Sequence, residues 1–176
     1  MPHISVISDA ELTAAQRTEI RALLDAAFDG DFSDDDADHA ARGLRVLVYA
    51  DEEIIGHAAL IARSMTIDGR AHSVGYLEGV AVMPALQGKG VGRALLEHTS
   101  LLTKERYVIA MLSTGEHAFY EKFGWQRFHG QSYVDENGVI LRTSDEDAGL
   151  MVLAEHLSWN VAGCQIVCDW RIGDVW

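Results

Sequence analysis

Between Tyr76 and Leu96 the sequence reads YLEGVAVMPALQGKGVGRALL, and no other stretch constrains the fold as much. The apolar run Tyr76–Val82 predicts a strand and Met83-Pro84 a turn. Gln87-Gly88-Lys89-Gly90-Val91-Gly92 is then a glycine-rich loop opening directly into an amphipathic helix. Strand, glycine loop and helix start, in that order, make an anion site. The first N–H groups of a helix have no intrahelical partner, and the helix dipole adds partial positive charge there. Glycines let a bulky diphosphate reach the main chain because no Cβ intervenes. Each such contact is worth about 0.3–1 kcal/mol, so several must converge on one ligand.

The spacing of the loop separates its possible ligands. A P-loop needs G-x-x-x-x-G-K-[ST], but Gly90 follows Lys89 and no hydroxyl is present to hold magnesium. A dinucleotide fingerprint needs G-x-G-x-x-G, whereas Gly88, Gly90 and Gly92 run G-x-G-x-G. Gln87, Gly90 and Gly92 do fit Q-x-x-G-x-G. That pattern resembles the acetyl-CoA pyrophosphate loop of the GCN5-related N-acetyltransferase (GNAT) superfamily. A second block, Ala118-Phe119-Tyr120-Glu121-Lys122-Phe123-Gly124-Trp125, is similar to the superfamily's later helix and turn. By local rules Glu116–Phe123 is a short helix closed by Gly124 in a left-handed cap. Tyr120 is then either a phenol beside the ligand or a half-buried packing residue.

The remaining elements follow from periodicity and punctuation. Ile4–Ile7 is read as a strand. Thr13–Phe28 is a helix with a Thr13/Gln16 capping box and an apolar stripe of Ile20, Leu23, Leu24, Ala27 and Phe28. Ser33–Arg42 is a short acidic helix stopped by Gly43. Leu44–Ala50, Ile54–Ile67 and His72–Val82 are strands, the last two joined by a hairpin turn at Asp68-Gly69. The helix Gly90–Arg106 presents Val91, Leu95 and Leu102 to the core. Then come strands at Tyr107–Leu112, Trp125–Val134, Leu150–Ala154 and Gly163–Trp170, with a turn at Asp135–Gly138. This order predicts one α/β domain over residues 1–176, a mixed and mostly antiparallel sheet flanked by helices on both faces, which matches the GNAT fold.

Composition narrows the function. A formal net charge of −13, with aspartates crowded at 29, 31, 34, 35, 36 and 38 and again at Asp145-Glu146-Asp147, repels nucleic acid and anionic membrane and draws cations inward. The apolar runs are strand-sized, too short to span a bilayer, and Met1-Pro2-His3-Ile4-Ser5 lacks the pattern of a signal peptide, so a cytoplasmic location is expected. Cys164 and Cys168 read as buried small hydrophobes. The eight histidines are scattered singly, so no metal site is expected.

The final residues, Cys168-Asp169-Trp170-Arg171-Ile172-Gly173-Asp174-Val175-Trp176, suggest a tail tied down rather than frayed. They resemble the C-D-W-R-x-G-D-V-W of the actinobacterial aminoglycoside 2′-N-acetyltransferases. The resemblance extends to Phe28-x-Gly30-Asp31-Phe32, Tyr76-x-Glu78-Gly79-Val80-Ala81-Val82 and Thr143-Ser144-Asp145-Glu146-Asp147, and so to nearly the whole chain. It implies acetyl-CoA as acyl donor, coenzyme A as product, a cationic aminoglycoside as acceptor, and a homodimer. It further implies that Val80, Ala81 and Val82 offer backbone groups to the pantetheine arm and thioester carbonyl. Gln87, Gly88, Lys89, Gly90, Val91, Gly92 and Arg93 would hold the pyrophosphate. Glu78, Gly79 and Ser113 would lie near the acceptor amine. Asp31, Asp145, Glu146, Asp147, Asp174 and the Trp176 carboxylate would bind the sugar. Glu78 is the expected base, Tyr120 the expected acid, and a bulge at Gly79 would re-aim a backbone N–H toward the thioester oxygen. Alternative acceptors are a cell-wall aminosugar, a polyamine or a protein amine. A non-catalytic acyl-CoA-binding regulator is the rival outside enzymology.

Overall fold

The computed structural model describes residues 2–154, 157 and 159–176. The chain forms two compact units, the first made of Met1–Ile61 and Leu77–Leu101, the second of Ala62–Tyr76 and Leu102–Trp176.

In the first unit, β1 (His3–Ser8) pairs antiparallel with β2 (Leu44–Ala50), which pairs antiparallel with the early part of β3 (Glu53–Ile67). Between β1 and β2 lie α1 (Ala14–Ala27) and α2 (Asp34–His39). Helix α1 starts where local chemistry predicts. The Thr13 N–H donates to Gln16 Oε1 and the Gln16 N–H donates back to Thr13 Oγ1, satisfying donors the first turn leaves open. Ser33 caps α2 in the same reciprocal way with Asp36. The α1 stripe buries Ile20, Leu23 and Leu24 in a cluster with Leu12, Phe32, Leu47, Ile54 and Ala81, while Phe28 stays exposed and tilts against the Phe32 ring. Helix α2 ends at His39, short of the expected Arg42, because Arg42 turns to φ +69 and breaks the helical path.

The second half of β4 (Arg70–Val82) also belongs to this unit. After it come a single 3-10 turn at Pro84–Leu86, the glycine loop, and the start of α3 (Val91–Arg106). Helix α3 buries Leu95, Leu96, Thr99 and Ser100 within this unit, and Val91 is half-buried.

The second unit holds the order β6-β9-β5-β4-β3-β10-β7-β8, with β5 (Ala110–Ser113), β6 (Gln126–Arg127), β7 (Gln131–Glu136), β8 (Val139–Arg142), β9 (Leu150–Leu153) and β10 (Gln165–Asp169). It is mixed: β4–β5 and β10–β7 are parallel, while β10–β3, β5–β9, β6–β9 and β7–β8 are antiparallel. Its core gathers Tyr76, Met111, Phe128, Leu150, Val152, Ile166, Cys168 and Trp176 among others. α4 (His117–Tyr120) continues as a 3-10 turn to Phe123 and closes at Gly124, φ +90, the left-handed cap that the sequence implies.

Two strand expectations need correcting here. Tyr107 caps α3, its N–H donating to the Thr103 carbonyl, so β5 begins only at Ala110. The single strand expected over Trp125–Val134 is two. Phe128 and His129 donate their N–H groups to the carbonyls of Leu150 and Ala162, which pulls the chain out of register, and β7 starts afresh at Gln131. Beyond the Asn137-Gly138 turn, Val139–Arg142 forms the hairpin partner β8, which the sequence reading left unassigned.

Candidate active site

In the first unit, β4, the glycine loop and α3 are arranged as the sequence order predicts. Gly88 and Gly90 sit at φ +73 and +91, and a Cβ built on either would meet nothing within 4 Å. The main chain is thus open to an approaching group at these two turns. The side chain of Gln87 does not enter that space: its Nε2 donates to the Val82 carbonyl at 3.2 Å and braces the loop against the strand end. Leu86 and Lys89 donate their N–H groups back to the Met83 and Leu86 carbonyls, at 2.8 and 3.4 Å. The first N–H groups of α3, from Val91, Gly92 and Arg93, have no carbonyl one turn earlier to bond. Arg93 extends along the helix to Glu97, 3.2 Å away. The open glycine turns and main-chain donors suit a diphosphate, which needs several N–H groups and a close backbone approach.

On β4, Gly79 has φ +55, a left-handed backbone at the position where a bulge is expected. A residue with a side chain would be strained there. Its Cβ would also lie 3.3 Å from Leu24 Cδ2 and 3.4 Å from His57 Cε1. The Gly79 carbonyl accepts a 2.6 Å hydrogen bond from Nδ1 of His57. On β3, His57 lies opposite Leu47 of β2, so Arg45, two residues before Leu47, shares its face. Arg45 Nη1 donates to His57 Nε2 at 3.0 Å, and Arg45 donates through Nε and Nη2 to Asp9 Oδ1 at 2.9 and 2.5 Å. Arg17 completes the chain on Asp9. Asp9, Arg45 and His57 are 8%, 5% and 0% exposed. Burial first, then the Arg45 charge, pushes the imidazole down to about 4, against the bond to Gly79 and the Asp9 carboxylate. Sequence reasoning missed this group. Its only signal was a lone histidine in the apolar run Ile54–Ile67, and the bonds that build it span 36 residues from Asp9 to Arg45 and 22 from His57 to Gly79.

Around α2 the acidic segment is partly self-satisfied. Asp34 pairs with Arg21 at 2.7 Å and Asp36 accepts from the Ser33 N–H at 2.8 Å, while Asp31 is exposed beyond α1.

In the second unit, Tyr120 is 7% exposed and lies edge-on to Phe119 and Trp125. Burial, then the Glu116 charge, pushes its phenol up to about 12, against a hydrogen bond with Thr114. Ser113 ends β5, its hydroxyl close against Gly149. Asp147 is committed to its own hairpin. Its carboxylate is paired with Arg142, and its Oδ1 accepts from the Ser132 N–H at 2.9 Å and the Ser132 hydroxyl at 2.6 Å. Against the desolvation of partial burial, these donors hold it below the ordinary carboxylate range. Glu146 is the opposite case: burial, then the charges of Asp174 and Asp145, raises its carboxyl. Among the described residues, no guanidinium, ammonium or imidazole forms an ion pair with Asp145, Glu146 or Asp174.

The tail is tied down. Trp176 is 3% exposed, its indole Nε1 donates to Thr143 Oγ1 at 2.9 Å, and its backbone N–H donates to Asp174 Oδ1 at 3.1 Å. Arg171 Nε donates to the Asp174 carbonyl, and the Cys168 thiol donates to the Val175 carbonyl.

Comparison with known proteins agrees with this geometry. Residues 10–128 match the model of the acetyltransferase (GNAT) domain. A GNAT acetyltransferase from Escherichia coli, YhbS, solved with CoA, superposes with a TM-score of 0.67 at 19% identity, covering 98% of this chain and 93% of that one. A Brucella melitensis GNAT acetyltransferase in complex with acetyl-CoA gives 0.62 at 21% identity, over 93% and 94% of the two chains. The chain belongs to the GNAT acetyltransferases. Within sequence comparison, it is 31% identical to the aminoglycoside 2′-N-acetyltransferase of Mycolicibacterium fortuitum, across 97% of this chain and 90% of that protein.

Proposed function

We propose that this acetyltransferase moves the acetyl group of acetyl-CoA to the 2′-amino group of aminoglycosides by direct transfer, and so inactivates them as antibiotics. The observation that carries the substrate class is the cluster of Asp145, Glu146 and Asp174. Burial, then the charges of Asp174 and Asp145, raises the proton affinity of Glu146, and among the described residues no protein cation pairs with any of the three. An ammonium-rich ligand relieves that repulsion. The full-length similarity to a 2′-N-acetyltransferase supports the same reading.

The glycine loop with Val80, Ala81 and Val82 binds the donor through main-chain groups. An ammonium cannot attack a thioester, so the amine must first lose a proton, and Glu78 is assigned as base, directly or through one water. The amine then attacks the thioester carbon. The oxyanion is met by the Val80 N–H, and the carbon–sulfur bond breaks to release coenzyme A. Tyr120, whose raised pKa keeps its proton in place, donates to the departing thiolate. Both cysteines are buried with their thiols pushed up to about 11, chiefly by burial, which disfavours a covalent acetyl-enzyme. The acidic cluster also raises the pKa of the substrate's amines, so it acts on binding while Glu78 acts on rate.

A thiol-release assay with acetyl-CoA tests this reading. Tobramycin and gentamicin, with 2′-amines, should release coenzyme A. Kanamycin A, with a hydroxyl at that carbon, should not. Equal turnover of kanamycin A would place the acetyl group elsewhere and overturn the 2′ assignment.

A further inference from the structure

The buried chain Asp9–Arg45–His57 ends on the carbonyl of Gly79, and the donor rules fix the direction of every bond in it. A carbonyl only accepts, so His57 Nδ1 carries the proton; a guanidinium only donates, so Nε2 is the bare nitrogen. The imidazole is therefore neutral and held at both ends. Arg45 is held in turn by the Asp9 carboxylate. Burying Asp9 just past β1, Arg45 on β2 and His57 on β3 costs desolvation that packed aliphatic side chains would avoid, so fold stability alone does not account for the arrangement. What the chain does accomplish is local. It grips one peptide group, at a residue with φ +55 next to Glu78.

That grip has a geometric consequence. Among the described residues every peptide bond is trans. In a planar trans peptide the C=O of one residue and the N–H of the next point in opposite directions. With the Gly79 oxygen drawn to His57, the N–H of Val80 must face away from the ring. We propose that His57 is a positioning residue for acyl transfer: by holding the Gly79 carbonyl it aims the Val80 N–H, the donor assigned to the thioester oxyanion. This inference rests on the reading of the chain as an acetyltransferase that uses β4, and it adds three residues that do not touch substrate.

The test compares wild type with His57→Phe and His57→Asn, the full chain in each case, using acetyl-CoA and tobramycin. Phenylalanine fills the space without a donor; asparagine can still present an N–H to Gly79. Losing one aimed oxyanion donor costs about 100-fold or more in kcat. His57→Phe should therefore lose about 100-fold in kcat, with KM for acetyl-CoA and calorimetric affinity for coenzyme A within about threefold of wild type. His57→Asn should recover most of the loss. A loss confined to KM, an unchanged kcat in His57→Phe, or an asparagine variant no better than phenylalanine would overturn the proposal. Imidazole nitrogen NMR of the wild type needs no variant: a neutral, Nδ1-protonated His57 at pH 7 is expected, and an Nε2-protonated or charged ring would refute it. Wild type that acetylates no amine refutes the acetyltransferase reading instead, so the two failures are told apart.

Discussion

Gly79 is where backbone, burial and chemistry meet. It is held at φ +55 between Leu24 and His57, so replacing it taxes the fold and the reaction together. Gly79→Ala should lower unfolding free energy by about 1–2 kcal/mol, the cost of a side chain in the left-handed region, read from the urea midpoint. Its neighbour Glu78 should affect only the rate. Glu78→Gln should reduce kcat by about 100-fold or more, the usual weight of a general base, with KM for tobramycin little changed and the acidic limb of the pH–rate profile lost. An unaltered profile would remove Glu78 from the base role.

Among elements, the β4–loop–α3 module was legible because its signals are local: apolar run, Pro84, three glycines, helix. Its prediction is equally local. Gly90→Ala places a methyl at φ +91 over an open main-chain turn, and should raise KM for acetyl-CoA several-fold while sparing kcat. The capping box of α1 was legible for the same reason, since Thr13 and Gln16 are neighbours in sequence. What the sequence concealed depends on distant partners. The break at Phe128–Gly130 follows from bonds to Leu150, Ala162 and Cys164, none of which leaves a local mark. The β8 partner strand is not legible from its own residues, although Asn137-Gly138 is a hairpin signal, because the apolar run Val139–Leu141 is shorter than a strand signal needs. The glycine loop, the turn that ends at Gly124 and the tethered tail were each readable as local motifs. The commitment of Asp147 to Arg142 and Ser132, and the support of Gly79 by His57, were not, because spacing says nothing about which buried group a carboxylate or carbonyl meets.

On the scale of the whole chain, a net charge of −13 favours capture of a polycation from solution, an effect that weakens as salt shortens the screening length to about 8 Å and below. Stability should also carry the signature of His57. Its folded-state pKa of about 4 lies below the unfolded 6.5, so between those values the unfolded chain binds the extra proton. The contribution is complete above pH 6.5 and is lost as pH falls toward 4, with a slope of about 1.4 kcal/mol per pH unit at its steepest. Denaturant titrations of wild type and His57→Asn across that window should differ in slope by roughly one proton; parallel curves would mean that the imidazole is charged in the fold.

The chemistry itself is tested most directly by locating the acetyl group in the product formed from tobramycin and acetyl-CoA. NMR of the purified product should show one new amide, on the 2′ nitrogen. An acetyl group on another amine, or unmodified antibiotic after full incubation, would contradict the account.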